Sequence, residues 1–495
     1  MSSPLILALD IGTTSTRALL FDAEGRALPD CIAQVANHLQ TTADGGATFD
    51  ANQLLQSVVA VIDQCLVMAG SRAAQIAAVA SDTFVSNVMG VSTAGEPVTP
   101  VFTYADTRNA PDTEELRNEL DEEARTVSHD RTGCLLHTSY LPARFRWLER
   151  THPDWLRGSV YWLSFGEYLY WKLLGQRLAS YSVASWTGLL DRHTLTWDET
   201  WLARLPVGQE QLSPLGDVDT PLQGLLPPWA ERWPALKDVP WLPAIGDGAA
   251  ANIGSGCDTP QRIALTVGTT GAMRVVLPPA ISAVPAGLWL YRVTRDRGLL
   301  GGATTEGGNL YAWLRETLQL PPSDQLEKAL SEREPAGHGL TVLPFVAGER
   351  APGWKGSARA SLVGFTLNTR PIDIVQAALE AVAYRFAIIY GRIKPHLGEG
   401  NQQIIASGGG LLRSPAWLQI MADVLDQPII ALAEHELTSR GIALLALEQL
   451  GAIDHPSALA AETGQTYLPD AERHQRHRAA LAQQVAVYDR LLNQP

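Results

Sequence analysis

From Leu5 the chain runs through a continuous apolar stretch to Leu9 and passes directly into Asp10-Ile11-Gly12-Thr13-Thr14. A second apolar run, Ala18–Phe21, ends at the turn residues Asp22-Ala23-Glu24-Gly25. An unbroken apolar run of this length suits a strand buried on both faces, and two such runs around a glycine turn predict a hairpin. The pattern returns half a chain later as Ile263–Val267, Gly268-Thr269-Thr270-Gly271 and Met273–Leu277. Gly-Thr-Thr is a common tripeptide, but its reuse between matching apolar runs points to a duplicated domain.

Other segments fall into place by the same reading. Ile404–Ala406 is a short strand, Ser407-Gly408-Gly409-Gly410 a turn, and Leu411–Leu425 a helix. Apolar residues at 375, 379, 382, 386 and 389 give Ile374–Ile393 a helical period, with Pro371 in its first turn. Gly301-Gly302 and Gly307-Gly308 precede the amphipathic stretch Leu310–Leu318. The apolar runs Ile76–Ala80, Val98–Phe102 and Leu242–Ile245 each end at polar residues.

Composition narrows the class. The 495 residues exceed one ordinary core, and 46% hydrophobic with 18% charged residues suits a folded chain of two or three domains. The net charge of −14, without a basic run, argues against nucleic acid as the main partner. Cys31, Cys65, Cys134 and Cys257 are far apart and form no C-x-x-C pair, which disfavours a disulfide scaffold and a structural zinc site. The amino-terminal residues lack the pattern of a signal peptide. The stretch Val275–Tyr291 is interrupted by Pro278, Pro279 and Pro285 and makes a poor membrane span. A cytoplasmic protein without a membrane partner is expected. None of the five lysines follows a glycine, so a Walker A loop is excluded, and no G-x-S-x-G or H-E-x-x-H occurs.

The repeated turn has a chemical use. Without a Cβ, Gly12 and Gly268 let backbone approach a ligand closely. Successive N–H groups and threonine hydroxyls make a concave donor set suited to phosphate oxygens. Two such turns facing one another would clamp a polyphosphate between domains. Asp10 could then hold Mg²⁺, which prefers one or two carboxylates together with phosphates. The glycines at 408–410 allow either a nucleotide to lie on the backbone or a close helix–strand contact.

Taken together, these segments resemble the FGGY carbohydrate kinases. Ala8–Arg17 and Thr266–Gly271 are similar to that family's two phosphate motifs. Ser407–Ser414 with Gln419–Asp423 resembles its adenosine motif and carboxy-terminal signature, Gly246–Ala250 the segment of its catalytic aspartate, and Pro344–Pro352 a loop common in the pentulose and gluconate branches. One departure is Arg144, where a lysine usually stands three residues before the tryptophan, here Trp147. The resemblance implies an α/β fold of two actin/hexokinase-like (ribonuclease H-like) domains, each a mixed five-stranded sheet, around a central ATP/sugar cleft. The expected domains are 1–243, with the sugar site and first phosphate turn, and 244–495, with the catalytic aspartate, second turn and adenosine motif.

The resemblance further implies ATP and Mg²⁺ as cofactors, Asp247 as the base that takes the proton of the attacking hydroxyl, and Thr13, Thr14, Arg17, Gly268, Thr269, Gly308, Gly410 and Ser414 as nucleotide contacts. Asp10 is the candidate metal ligand. Strand ends and the segment before the Arg144 helix offer Asp82, Thr83, Asp106, Arg108, His137 and Tyr140 as sugar ligands, since polyols are held by such hydrogen-bonding groups. The Ser81–Phe84, Tyr104–Arg108 and His137–Tyr140 segments look most like the gluconate kinase branch, with Arg108 or Arg144 as a carboxylate partner. Phosphorylation of D-gluconate to 6-phosphogluconate is the expected activity. Xylulose or another pentulose is the alternative substrate, and an ATPase switch on the same scaffold is the alternative of a different class. A homodimer is expected by family habit.

Overall fold

The duplication is visible in the sheets. The computed structural model describes residues 3–279 and 281–493. Strands β1 (Leu5–Ile11), β2 (Ser15–Phe21), β3 (Ala27–Ala36), β4 (Ile76–Thr83) and β5 (Ile245–Gly246) form one sheet in the order β5-β4-β1-β2-β3. Strands β6 (Arg262–Val267), β7 (Gly271–Leu277), β8 (Trp289–Thr294), β9 (Arg297–Thr304), β10 (Gln403–Ser407), β11 (Ile429–Leu432) and β12 (Thr463–Tyr467) form a second, in the order β8-β9-β7-β6-β10-β11-β12. The run β9-β7-β6-β10-β11 repeats β3-β2-β1-β4-β5 in order and direction: two antiparallel pairs, then two parallel ones. This is the expected pair of actin/hexokinase-like domains. The second sheet has seven strands rather than five, because β8 and β12 add antiparallel edges.

The domain boundary lies later in the chain than 243/244. Strand β5 pairs with β4 in the first sheet, and the second sheet begins only at Arg262. Asp247 therefore hangs from the amino-terminal sheet.

Helices cover both sheets. Leu7, Leu9 and Ile11 of β1 pack with Leu54, Val58, Val61 and Ile62 of helix α1 (Ala51–Ala69). Ile6 and Ala8, on the opposite face, join a core that includes Leu444 of a late helix (Leu437–Gln449). The continuous apolar run at Leu5–Leu9 is thus explained by burial on two sides. By length and composition alone, the segment Ala51–Gln75 is apolar enough to cross a membrane; the buried positions of α1 pack on the sheet.

Helix α2 (Leu141–Thr151) carries Arg144, and α3 (Asp247–Gly254) follows β5 directly. A Cβ on Gly254 would lie 1.8 Å from the Leu437 carbonyl oxygen, and one on Gly441 1.8 Å from that of Ala250. Helix α3 and the late helix therefore cross with their backbones in contact. The long helix α4 (Pro371–Ile393) begins at Pro371, three residues before the apolar period is evident. The expected helix Leu411–Leu425 is broken. A short turn, Gly409–Leu412, ends at Arg413, and α5 (Pro415–Leu425) starts afresh, because Pro415 has no N–H and Ser414 caps the new helix.

Candidate active site

The two Gly-Thr-Thr turns occupy equivalent places, β1–β2 and β6–β7. Each is tied by its glycine N–H, Gly12 to Ser15 O at 3.0 Å and Gly268 to Thr270 O at 2.9 Å. Thr14 and Thr269 are exposed, Thr13 half-buried, and none of these hydroxyls is engaged by another described residue. Asn37 supports the first turn by donating to Gly12 O at 2.8 Å. Beside the second turn three glycines meet. The Gly308 N–H donates to Gly268 O at 2.7 Å, and a Cβ on Gly410 would sit 2.9 Å from that same oxygen and 3.4 Å from Gly308 Cα. Gly308 and Gly410 therefore serve close backbone packing, while a Cβ on Gly268 would meet nothing within 4 Å.

Two expected nucleotide contacts are engaged elsewhere. Ser414 Oγ donates to Glu327 Oε1 at 2.8 Å and accepts the Trp417 N–H at 3.2 Å, so it acts as a helix cap. Arg17 pairs with Glu436, which precedes the late helix.

Asp82 and Thr83 are the last two residues of β4, at the strand end where they were expected, but they are paired with Asp10 and Ile11 on one side and with Ile245 and Gly246 on the other. Both are fully buried and line no cavity with Asp247. The Asp82 carboxylate has no donor on either oxygen. Burial first, then the neighbouring Asp10 and Asp247, push it well above the ordinary carboxylate range. Asp10 is also raised, chiefly by burial, with Arg17 opposing. The two neighbouring carboxyls are thus suited to share a proton. Among the described residues no group of three His, Cys, Asp or Glu side chains is placed to hold a metal. Asp10, partly exposed beside the first phosphate turn, fits a Mg²⁺ that keeps most of its ligands from phosphate and water.

The Asp106 cluster is a correction of a different kind. Asp106 is fully buried, and Arg108 reaches it through Nη2 at 2.5 Å and Nε at 3.1 Å. Arg144 donates Nη1 to Oδ1 at 3.0 Å and Nη2 to the Asp106 carbonyl at 2.6 Å. Both guanidinium groups also lie over the Trp147 ring, at 4.8 and 5.1 Å. Burial alone would raise the Asp106 carboxyl, but the Arg108 hydrogen bond and the Arg144 charge hold it below its usual range. All three are engaged with one another, and none lines the groove or the inner pocket described next. Tyr140, likewise, spends its hydroxyl on Tyr291 across the domains at 2.6 Å. His137 bonds Ser139 at 3.0 Å and is pushed down to about 3, by burial and then by Arg350, so its ring is neutral. It lines a groove of about 1240 Å³ between the domains.

That groove shares Tyr104, Thr270 and Arg350 with an inner pocket of about 240 Å³, and the inner pocket holds Asp247. Asp247 is the first residue of α3; its Oδ1 accepts the Gly248 N–H at 2.7 Å. Burial raises its carboxyl, with the Gly248 N–H and then Arg274 opposing. Three further polar groups line this pocket and were missed in the sequence. Arg274 lies on β7 and Arg350 on the loop before Pro352, and neither guanidinium is hydrogen-bonded or ion-paired to any described residue; the Arg350 Nε is buried without a partner. Trp186 presents a buried indole N–H, also without a partner. The legible signal for Arg274 was a charge interrupting the apolar run Met273–Leu277.

Comparison with known proteins bears on the family and the fold. The model of the FGGY family of carbohydrate kinases, N-terminal domain, matches residues 5–254, and that of the C-terminal domain matches residues 263–450. A gluconokinase of Bacillus licheniformis is 26% identical over 473 residues, covering 93% of this chain and 91% of that one. A glycerol kinase of Rhodospirillum centenum is 28% identical over 468 residues, covering 90% of each. Crystal structures of a gluconate kinase and of a ligand-bound xylulose kinase, both from Lactobacillus acidophilus, each superpose with a TM-score of 0.90 at 24% identity, over 99% of this chain and 98% of theirs.

Proposed function

We propose that this chain, which belongs to the FGGY family of carbohydrate kinases, transfers the γ-phosphoryl group of ATP to the terminal hydroxyl of D-gluconate, giving 6-phosphogluconate and ADP. The observation that carries the chemistry is the position of Asp247. Its carboxyl stands in an enclosed pocket whose wall includes Thr270 and Gly271 of the second threonine turn. The substrate hydroxyl attacks the γ-phosphorus, the bond from that phosphorus to the β–γ bridging oxygen breaks, and the hydroxyl proton passes to the Asp247 carboxylate. Phosphoryl transfer needs little else beyond alignment and charge compensation. Thr13 and Thr14 from one domain, with Gly268 and Thr269 from the other, hold the polyphosphate. Asp10 would hold Mg²⁺, which when bound neutralises phosphate charge. The protein is read as cytoplasmic, with a small-molecule substrate and no nucleic-acid or membrane partner.

Gluconate is favoured by the gluconokinase relative, which matches nearly the full length of this chain. A pentulose is the second reading, favoured by the xylulose kinase fold at an equal TM-score. A coupled ADP-release assay with gluconate, xylulose and glycerol tests both. Gluconate-dependent turnover supports the first. Preference for xylulose replaces it with the second, and ATP hydrolysis indifferent to every polyol would overturn the kinase mechanism in favour of an ATPase switch.

A further inference from the structure

The inner pocket contains two arginines with no hydrogen-bond or ion-pair partner among the described residues, although Arg350 also lies over the Trp354 ring at 5.9 Å. Other arginines around the cleft are satisfied: Arg108 and Arg144 by Asp106, Arg385 by Glu349, and Arg292 by the carbonyls of Arg295 and Arg192. Arg274 and Arg350 have no such partners among the described residues, and the Nε of Arg350 is buried as well. Holding two like charges near each other without a counter-charge is unfavourable, and an anionic ligand relieves that cost.

Asp247 and Arg350 stand in a definable order. Asp247 lines only the inner pocket, whereas Arg350 lines both it and the groove outside, and so stands at the mouth. Arg274, which like Asp247 lines only the inner pocket, stands close to the start of α3: a Cβ on Gly248 would be 3.4 Å from its guanidinium. It feels the charges of both Asp247 and Arg350. The loop bearing Arg350 is braced from behind. Glu349 is bonded by Arg385, by the Tyr488 hydroxyl at 2.7 Å and by the Gly353 N–H at 3.2 Å, while the Trp354 indole donates to Gly287 O at 2.8 Å. A linear molecule with its reacting hydroxyl at Asp247 would extend along the inner pocket, which Arg274 also lines, toward Arg350 at the mouth.

We propose that Arg350, backed by Arg274, is the carboxylate receptor of this pocket, selecting a linear polyhydroxy acid over neutral polyols of the same length. This rests on the kinase reading above and deepens it, replacing Arg108 and Arg144 as the acid-recognising groups. A guanidinium fork matches a carboxylate with two parallel hydrogen bonds, which a hydroxyl terminus cannot reproduce.

The test titrates wild type, Arg350→Met and Arg274→Lys calorimetrically with gluconate, with glucitol as its neutral analogue, with shorter aldonates and their matched alditols, and with ATP. Melting temperatures confirm that each variant is folded. Wild type is expected to prefer acids, and Arg350→Met to weaken gluconate roughly 10–100-fold while ATP changes less than threefold. Arg274→Lys keeps the charge but loses the fork, and is expected to give a smaller loss in the same direction. If wild type prefers a shorter aldonate through Arg350, gluconate is the wrong acid and the receptor stands. Should wild type bind gluconate while Arg350→Met weakens ATP equally, or leaves gluconate untouched, the receptor is refuted and the gluconate reading survives. Preference of wild type for neutral polyols overturns both.

Discussion

Two pairs of arginines face the same cleft and have opposite characters. Arg108 and Arg144 come from motif segments on the amino-terminal side, and both are spent on Asp106 and the Trp147 ring. Arg274 and Arg350 come from the carboxy-terminal side, and neither is hydrogen-bonded or ion-paired to a described residue. Residue type and motif position favoured the first pair; hydrogen-bond satisfaction favours the second. A buried charge that is already paired is structural, and one left unpaired at a cavity is poised for a ligand. Each prediction below breaks that division or sharpens it.

Asp247 lines the same inner pocket as the second pair, held at its base by the Gly248 N–H, and its loss is expected to have the largest effect. Asp247→Asn should lower kcat by roughly 10²–10⁴, with ATP affinity and melting temperature close to those of wild type. Because burial raises its carboxyl, wild-type kcat/KM should fall on acidification at a pH above the ordinary aspartate range, as the base takes up its proton. That acid limb should be missing from the residual activity of the variant. Retention of near-wild-type turnover would remove Asp247 from the mechanism.

Arg144 probes the satisfied side. Its side chain is 3% exposed, and truncating one member of a buried ion pair leaves the other charge stranded. Arg144→Met should therefore destabilise the protein by about 3–5 kcal/mol, read as a fall in the denaturant midpoint. Arg108, 19% exposed, should cost less when changed to Leu. Neither change should alter the preference between gluconate and glucitol. A selective loss of gluconate affinity in folded Arg108→Leu would reverse the comparison and restore the motif-based assignment.

This contrast also marks what the sequence could say. The hairpins at Gly12 and Gly268, the duplication and the long helix up to Ile393 were legible, because apolar period and glycine turns are local signals. The boundary was misplaced because Ile245–Gly246 is a two-residue strand that joins the first sheet only in three dimensions. Asp82 was legible as a strand-end residue, but nothing local reveals that β4 is covered on both edges there. Ser414 lay inside a recognisable motif, yet its partner, Glu327, is 87 residues away. Arg350 lies within the Pro344–Pro352 motif, yet the absence of a partner leaves no trace in one dimension.

The threonine hydroxyls are unsatisfied groups of lower stake. Thr14→Val and Thr269→Val should each weaken ATP binding roughly 2–12-fold, the equivalent of a hydrogen bond worth about 0.5–1.5 kcal/mol. Gluconate affinity in the binary complex should hardly move. Calorimetry on the separate complexes checks this, and equal losses for both ligands would count against a clamp that acts on polyphosphate alone.

Asp82 is the informative exception, being unsatisfied and yet closed off from any cavity with Asp247. On the division drawn above it should be a stability liability rather than a binding group. The sign follows from its raised carboxyl. Between the unfolded value and the higher folded one, the folded protein holds more protons than the unfolded chain, so stability falls as pH rises through that window. Asparagine resembles the protonated carboxyl: it is neutral and can donate to Asp10. Asp82→Asn should thus stabilise by on the order of 1 kcal/mol, the usual scale of a single substitution, at pH 8, with the gain shrinking to nothing as pH drops below the ordinary aspartate range. Melting curves for both proteins between pH 4 and 8 decide it. A stability difference that stays constant across that range would mean Asp82 is ionised in the fold, and that its partner lies among the ligands rather than in Asp10.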